Sequence, residues 1–324
     1  MAAPGTTALT STTELLTRVS SMYYLEDMTQ EEIATHLKLS RPKVGRLLRQ
    51  ARREGIVEIK VNMHPSLAMP VETELVQRFG LTQAIVVGDQ SDEDEQRARV
   101  GAAAVELLDR LVRDDTTITV GMGRNVRAVS QQASGLRPRA CTVVSGIGGS
   151  PLTGEGLNSN DIAGQLADAL GGKSVGMFAP AYAKSGEQRD TFAGHLDVGR
   201  TIEQARAADI AVVGIGDANT DSLVVRLGCI TAKEMSRLLD AGAVGDILGS
   251  FFTVDGDPSA KWIEERVVGL TLDDLRSITQ VIAVASENSK APAILGALRS
   301  GLVHTLVTSV NTARAVMELA DKNG

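Results

Sequence analysis

The sequence has few cysteines and no long apolar run. Its 324 residues include two cysteines, Cys141 and Cys229, too few and too isolated for a disulfide framework or a thiolate metal site. No uncharged apolar run approaches the roughly 18 to 20 residues that cross a bilayer, and the first residues lack the basic start and apolar centre of a signal peptide. We therefore expect a cytoplasmic protein without membrane contacts, and 43% hydrophobic residues predict one large or two smaller domains.

Familiar cofactor and metal motifs are also absent. The chain contains neither the GxxxxGK[ST] pattern of a P-loop nor the full GxGxxG spacing of a dinucleotide-binding turn. Its four histidines show neither clustering nor metal-ligand spacing. We therefore expect no cofactor and no metal ion.

Charge is distributed unevenly along the chain. The formal net charge is -7, yet residues 1–60 carry nine Lys or Arg against seven Asp or Glu. The basic residues are concentrated in the segment Lys38–Lys60, which contains eight Lys or Arg and two glutamates. A locally basic N-terminal segment, residues 1–60, followed by an acidic remainder of the chain favours binding of a polyanion by the N-terminal segment.

Three helices are predicted in the first sixty residues. The first starts at Ser11 or Thr12 and carries apolar residues at helical spacing as far as Tyr23. Thr29 and Glu32 have the spacing of a capping box, which predicts the start of a second, short helix. A third helix should begin after Ser40 as N-cap, with Pro42 in its first turn, and run to Gly55.

The third helix is predicted to have one buried and one basic face. Val44, Leu47, Leu48 and Ala51 fall at i, i+3, i+4 and i+7, the pattern of a buried stripe. The opposite face carries guanidinium and ammonium groups suited to phosphates and guanine edges. The residues that we expect to contact DNA are Ser40, Arg41, Pro42, Lys43, Arg46, Arg49 and Arg53.

These features in this order are typical of a helix-turn-helix domain. Residues 56–61 (IVEIKV) read as a strand and would form the wing of a winged helix-turn-helix. A basic face on a small helical domain that binds no DNA is the alternative, and the coincidence of capping box, tight turn, basic face and strand favours DNA. We place this domain at residues 1–61 and a proline-containing linker at 62–70.

Residues 71–324 alternate apolar strand-length runs with helical patterns. The runs lie at residues 84–88, 117–121, 142–146, 210–214, 281–285 and 303–308. Continuous apolar strands separated by helices predict a parallel sheet covered on both faces, that is, a doubly wound α/β domain. Ligands of such domains bind at the carboxyl ends of the strands.

Several predicted strand ends are rich in glycine and small polar residues. The loop Gly121–Asn125 offers backbone N–H groups, a helix N-terminus and Arg124, which together suit a phosphate. The same argument applies to Ser145–Ser150, with Gly148 and Gly149, and to Ser286–Lys290. Each loop alone can equally be a tight turn without a ligand. Their common position favours one small anionic ligand.

The order of these features resembles the SorC family of bacterial transcriptional regulators over nearly the whole chain. The segments that carry the resemblance are MTQEEIATHLKLSRPKVGRLLRQARREGIVEIKV, LNSNDIAGQLADALGG at 157–172, LLDAGAVGDILGSFFTVDG at 238–256 and SKAPAILGALRSGLVHTLVTSVNTA at 289–313. The resemblance implies a winged helix-turn-helix joined to a phosphosugar-isomerase-like domain that binds a sugar effector and oligomerises. It further implies control of a sugar or polyol catabolic operon.

The resemblance also implies positions for the effector. Its phosphate loop corresponds to Gly123, Arg124 and Asn125, although the family usually has threonine where Asn125 stands. Asn160 matches a frequent asparagine, Asp246 an acidic position near the sugar, and Lys290 a lysine near the ligand. Two segments depart from the family: residues 286–288 (Ser-Glu-Asn) replace a glycine pair, and residues 308–310 (Thr-Ser-Val) replace Thr-Asp-Glu.

We therefore expect a DNA-binding transcriptional regulator rather than an enzyme, with operator DNA and a small sugar, polyol or sugar phosphate as partners. A homodimer or homotetramer would place recognition helices on a palindromic or repeated operator. Two alternatives stay open at the level of sequence. A sugar-phosphate isomerase or deaminase can share the fold, with Asp161, Asp217 or Asp246 as base. A constitutive DNA-binding protein would use its body for oligomerisation alone.

Overall fold

The computed structural model describes residues 12–57, 68–150 and 156–322. The chain divides into two compact units, Met1–Asn62 and Met63–Gly324. A helix, α4, covers Met69–Phe79, with Pro70 in its first turn, so the last two residues of the predicted linker are helical. The domain limits otherwise stay a prediction.

The first unit contains the three predicted helices. They are α1 (Thr12–Tyr24), α2 (Gln30–Leu37) and α3 (Arg41–Arg53). The capping box at the start of α2 is present: the Thr29 side chain accepts a hydrogen bond from the Glu32 N–H, and the Glu32 carboxylate accepts one from the Thr29 N–H. Local sequence alone therefore determines where α2 begins.

Helix α3 has the predicted buried stripe. Val44, Leu47, Leu48 and Ala51 are all buried and pack with apolar residues of α1 and α2. Ser40 occupies the N-cap position in an extended conformation, but its side chain makes no capping hydrogen bond. The predicted wing continues into residues 58–61, which lie outside the described residues, whereas residues 56 and 57 form a bend.

Within the described residues, the second unit contains a parallel sheet of seven strands. They are β1 (Gln83–Val87), β2 (Thr117–Val120), β3 (Thr142–Ser145), β4 (Lys173–Val175), β5 (Ile210–Gly214), β9 (Gln280–Val284) and β10 (Thr305–Ser309). Their order in the sheet is β1-β10-β9-β5-β2-β3-β4. The six apolar runs of the sequence analysis correspond to six of these strands. Strand β4 was not predicted, because this short edge strand is mostly exposed and has no apolar pattern.

Helices cover both faces of the sheet. They include α5 (Glu93–Leu111), α6 (Arg124–Gln132), α7 (Ser159–Leu170), α8 (Gly186–Gly194), α9 (Leu196–Arg206), α13 (Leu272–Arg276), α14 (Ala291–Arg299) and α15 (Val310–Lys322). Two large apolar clusters of the described residues contain buried strand side chains together with those of the surrounding helices. This arrangement confirms the predicted doubly wound α/β fold.

Beside the main sheet lies a small antiparallel sheet. It consists of β6 (Gly216–Asp217), β7 (Gly245–Ile247) and β8 (Ser250–Phe252). In the sequence, α10 (Leu223–Arg226) and α11 (Ala232–Asp240) lie between β6 and β7, and α12 (Lys261–Glu264) follows β8. Leu248 and Gly249 join β7 to β8, and both have positive φ angles, 50° and 79°. The small sheet starts directly after β5, so it lies near the carboxyl end of a central strand.

Strand order reverses between β2 and β5. From β2 the chain proceeds outward through β3 to β4, then returns to place β5 on the other side of β2. The helices that follow such neighbouring strands lie on opposite faces and leave a crevice beyond the strand ends. The fold therefore predicts a ligand site beside the loops that follow β2 and β5.

Candidate functional site

A cavity lies at this reversal point. It is bordered by the loop after β2, the segment after β5, and the small sheet. Its lining consists of Gly121, Met122, Gly123, Arg124, Asn125, Ile147, Tyr182, Gly214, Ile215, Gly216, Asp217, Ser222, Leu223, Val224, Asp246, Leu248, Gly249 and Lys290. Five of the eight predicted effector residues are in this set. Apolar walls with a few convergent polar groups are typical of small-molecule sites.

The loop after β2 presents the N-terminus of α6 to the cavity. Gly123 has φ of 110°, a conformation that favours glycine. Within the described residues, the N–H groups of Arg124, Asn125 and Val126 have no hydrogen-bond acceptor, and Arg124 has no ion-pair partner. Unsatisfied N–H groups of a first helical turn can donate to ligand oxygens.

Asp246 contributes a buried carboxylate to the opposite wall. It is 7% exposed, and its Oδ2 accepts a hydrogen bond from the Gly249 N–H at 3.0 Å. Burial raises its pKa to about 6, although the Gly249 N–H and the charge of Lys290 act in the opposite direction. Gly216 leaves room for this carboxylate, because a Cβ there would overlap Asp246 Oδ1. A buried carboxylate with one uncommitted oxygen can accept a hydrogen bond from a ligand hydroxyl.

Ser222 is a cavity residue that no sequence pattern predicted. Its hydroxyl is one of the buried side-chain atoms that have no hydrogen-bond partner in the described part of the protein. Ser222 is 5% exposed and, like Asp217, lines the cavity. A buried polar group without a partner is costly, and a bound ligand can supply that partner. No local pattern marks this serine, because only the folded chain brings it to the cavity.

Behind the cavity wall, Glu287 is the centre of a buried charge cluster. Its Oε2 is 3.1 Å from Lys290 Nζ and accepts a hydrogen bond from Asn125 Nδ2 at 2.9 Å, and its Oε1 lies 3.1 Å from an Arg97 guanidinium nitrogen. Burial alone would raise the pKa of Glu287, but Lys290, Asn125 and Arg97 lower it to about 2. Glu287 is therefore ionised at neutral pH and fixes both Lys290 and Asn125.

Three predicted effector residues lie outside the cavity lining. The N–H groups of Gly148 and Gly149 donate to the carbonyls of Val268 and Ala179. Asn160 Oδ1 accepts hydrogen bonds from the Ser145 hydroxyl at 2.6 Å and from the Met177 N–H at 2.8 Å. Their polar groups connect loops of the fold to one another, and a role of these three residues in effector binding stays a prediction.

The predicted DNA-contacting residues share the outer side of α3. Ser40, Arg41, Pro42, Lys43, Arg46, Arg49 and Arg53 are all exposed. In the described part of the chain, none of the basic residues of α3 takes part in an ion pair. Their charges are therefore available to an external anion.

Other site types find little support in the described residues. No group of three or more His, Cys, Asp or Glu side chains there has an arrangement that could hold a metal ion. Within the same residues, no helix has both the length and the apolar character needed to span a bilayer.

A helical unit with a basic exposed helix, followed by an α/β domain with a cavity at its switch point, is the architecture expected of a ligand-responsive transcriptional regulator. Residues 64–318 match the family model described as "Putative sugar-binding domain". The transcriptional regulator LsrR of Enterobacter sp. strain 638 is 35% identical over 315 residues, 95% of this chain and 94% of that protein. LsrR of Klebsiella pneumoniae is 34% identical over 314 residues, 95% of this chain and 94% of its own length.

Solved structures agree with this family relationship. The full-length sorbitol operon regulator SorC from Klebsiella pneumoniae superimposes with a TM-score of 0.73 and is 28% identical, covering 94% of this chain and 98% of SorC. The chain belongs to the SorC family of sugar-responsive transcriptional regulators. It is therefore a regulator rather than a sugar-phosphate isomerase or deaminase.

Proposed function

We propose that the chain regulates transcription by binding operator DNA through α3 and a small polyhydroxy effector in the cavity between the loops after β2 and β5. The observation that carries this proposal is the cavity at the point where strand order reverses. Its wall combines a buried carboxylate, Asp246, with an unpartnered hydroxyl, Ser222. These groups suit the hydroxyls of a sugar, a polyol or a sugar phosphate.

The effector contacts follow from the positions of the polar groups. Asp246 and Asp217 accept hydrogen bonds from ligand hydroxyls, while Ser222 can donate or accept. Gly123, Arg124 and Asn125 present the N-terminus of α6, and Lys290 supplies an ammonium group. The effector can change the affinity for DNA only if it binds the DNA-competent and the DNA-incompetent arrangement of the protein with different affinity. Such a coupling is typically about 1 to 3 kcal/mol.

On the DNA side, Arg41, Lys43, Arg46, Arg49 and Arg53 contact phosphates and base edges, with Ser40 and Pro42 at the start of the helix. A C2 dimer, or a tetramer built from such dimers, presents two recognition helices to a palindromic site. The protein acts in the cytoplasm, where bacterial operators lie.

DNA binding is tested with the DNA upstream of the chain's own gene in a fluorescence anisotropy titration at fixed salt. We expect Arg46→Ala to raise the dissociation constant at least tenfold, because it removes one exposed guanidinium from α3. Arg18→Ala is the matched control, since Arg18 is an exposed arginine of α1 in the same unit. Equal affinities of wild type and Arg46→Ala would remove Arg46 from the DNA contacts.

Effector binding is tested by thermal unfolding of the full-length protein against sugars, polyols and their monophosphates. A compound that raises the midpoint in the wild type should have a much smaller effect on Ser222→Ala and Asp246→Asn. Asp221→Asn is the control, because Asp221 is an exposed acid one residue from Ser222 and does not line the cavity. No shift with any compound of the panel would favour the constitutive alternative.

Light scattering should give the mass of a dimer or tetramer, and a monomer at micromolar concentration would contradict the oligomer.

A further inference from the structure

Glu287 belongs to the segment that departs from the family, and it changes the charge that the cavity presents. Lys290 is 9% exposed, and its Nζ lies 3.1 Å from Glu287 Oε2. Both carboxylate oxygens are engaged, since Asn125 also donates to Oε2 and Arg97 to Oε1. The pair is buried and held from several sides, so Lys290 is neutralised by the protein itself.

Arg97 does not add a positive charge to the cavity. Its guanidinium also pairs with Glu93 at 3.2 Å and with Asp94 at 2.6 Å, in addition to Glu287 at 3.1 Å. The side chain is only 9% exposed and does not line the cavity. An anion in the cavity therefore finds no free charge on Arg97.

Acidic groups dominate the remaining walls. Asp246 and Asp217 both line the cavity, and Asp246, with a pKa of about 6, is mostly ionised at neutral pH. Within the described residues, the opposing positive groups of the cavity are Arg124, which forms no ion pair, and the N-terminus of α6. One cation and a helix dipole do not offset two carboxylates and the two charges of a phosphate monoester.

The uncharged polar groups of the cavity fit a different ligand. Ser222 Oγ has no partner within the described residues, and Asp246 keeps one oxygen uncommitted. Hydroxyl groups can donate to the carboxylates and accept from Lys290 and the first turn of α6 without bringing a charge. A neutral polyhydroxy compound satisfies these groups at no electrostatic cost.

We propose that Glu287 is a specificity-determining residue that makes this cavity selective for an uncharged polyol or sugar over the phosphate ester of the same compound. This inference rests on the proposed function, because it names the charge class of the effector at the same site. Glu287 acts through Lys290 and Asn125, and it does not itself line the cavity.

The test compares matched pairs in the wild type by isothermal titration calorimetry: ribitol with ribitol 5-phosphate, sorbitol with sorbitol 6-phosphate, fructose with fructose 6-phosphate, and inorganic phosphate alone. We expect the neutral member of the binding pair to have a dissociation constant at least tenfold lower than its ester. Inorganic phosphate should not compete. This measurement needs no variant, so it decides the charge class even if Glu287 variants fold poorly.

Glu287→Gln then assigns the selectivity to this residue. It frees Lys290 from a carboxylate, so we expect the preference for the neutral compound to shrink at least tenfold and inorganic phosphate to bind. Glu93→Gln is the matched control, because Glu93 also pairs with Arg97 but is largely exposed and does not line the cavity. It should keep the wild-type preference.

The outcomes separate the two proposals. An ester that binds the wild type as tightly as its neutral partner, or more tightly, overturns the selectivity and leaves the proposed function intact. An unchanged preference in a folded Glu287→Gln overturns the role of Glu287. No binding of either member of any pair counts against the proposed effector site itself, and the inference fails with it.

Discussion

Replacing Asp246 by asparagine should stabilise the protein while it weakens effector binding. Burial raises the pKa of this carboxyl from its ordinary value of 3.8 to about 6. A carboxyl that holds its proton more tightly in the folded state lowers stability as the pH rises through that interval. A shift of about two units corresponds to about 3 kcal/mol, fully expressed above pH 7.

The asparagine removes the buried charge and keeps an oxygen that can accept from the Gly249 N–H. In urea unfolding without ligand, we therefore expect Asp246→Asn to be more stable than the wild type by up to about 3 kcal/mol at pH 7.5. At pH 4 the wild-type carboxyl is protonated in the folded state, and the difference should nearly vanish. Asp221→Asn controls for the loss of an exposed acid.

A stability difference that is equal at both pH values would refute the reasoning, because no proton linkage would then exist at this position. A variant less stable than the wild type at pH 7.5 would show that the Gly249 N–H and Lys290 outweigh the burial of the charge. We expect both measurements to show that the buried Asp246 carboxylate lowers the stability of the protein and is needed for ligand binding.

Three further predictions concern stability. The pKa of Glu287 is lowered from 4.5 to about 2, so its ionised form contributes about 3 kcal/mol to the free energy of unfolding above pH 5, and this contribution is lost as the pH falls towards 2. The difference in stability between the wild type and Glu287→Gln should therefore shrink between pH 5 and pH 3, and a constant difference would contradict this. Gly101→Ala should lower the unfolding midpoint by several degrees, since a Cβ would lie 2.7 Å from the Ala128 backbone of α6, and an unchanged midpoint would mean that the two helices separate freely. Thr29→Ala should destabilise the first unit by about 1 kcal/mol in urea unfolding followed by helical circular dichroism, whereas Thr35→Ala, at an exposed position later in α2, should have a smaller effect.

Local sequence signals predicted most elements of the fold. The capping box of Thr29 and Glu32 and the apolar stripe of α3 are interactions within a few residues, so their spacing is visible in the chain itself. The apolar runs of the central strands are equally local, because a strand buried on both faces must be apolar throughout. Strand β4 lacks this signal, since it lies at the exposed edge of the sheet.

The candidate site was predicted only in part. Loop composition and the family resemblance located Gly123, Arg124, Asn125, Asp246 and Lys290 on the cavity wall. The same reasoning also selected Gly148, Gly149 and Asn160, whose polar groups bind other loops of the protein. A glycine-rich turn looks the same in sequence whether its N–H groups face a ligand or a neighbouring carbonyl.

The sequence by itself determined the N-terminal helical unit with its basic face, the alternation of strands and helices, and the strand ends where a ligand site can form. Tertiary structure alone decided which of these strand ends meet, because strand order depends on packing between segments far apart in the chain. It placed Ser222, Asp217 and Asp246 on the wall of one cavity, and it joined Arg97 to Glu287, 190 positions away. Hydrogen bonds and ion pairs act over a few ångströms, so the charge of the cavity exists only once the sheet has assembled.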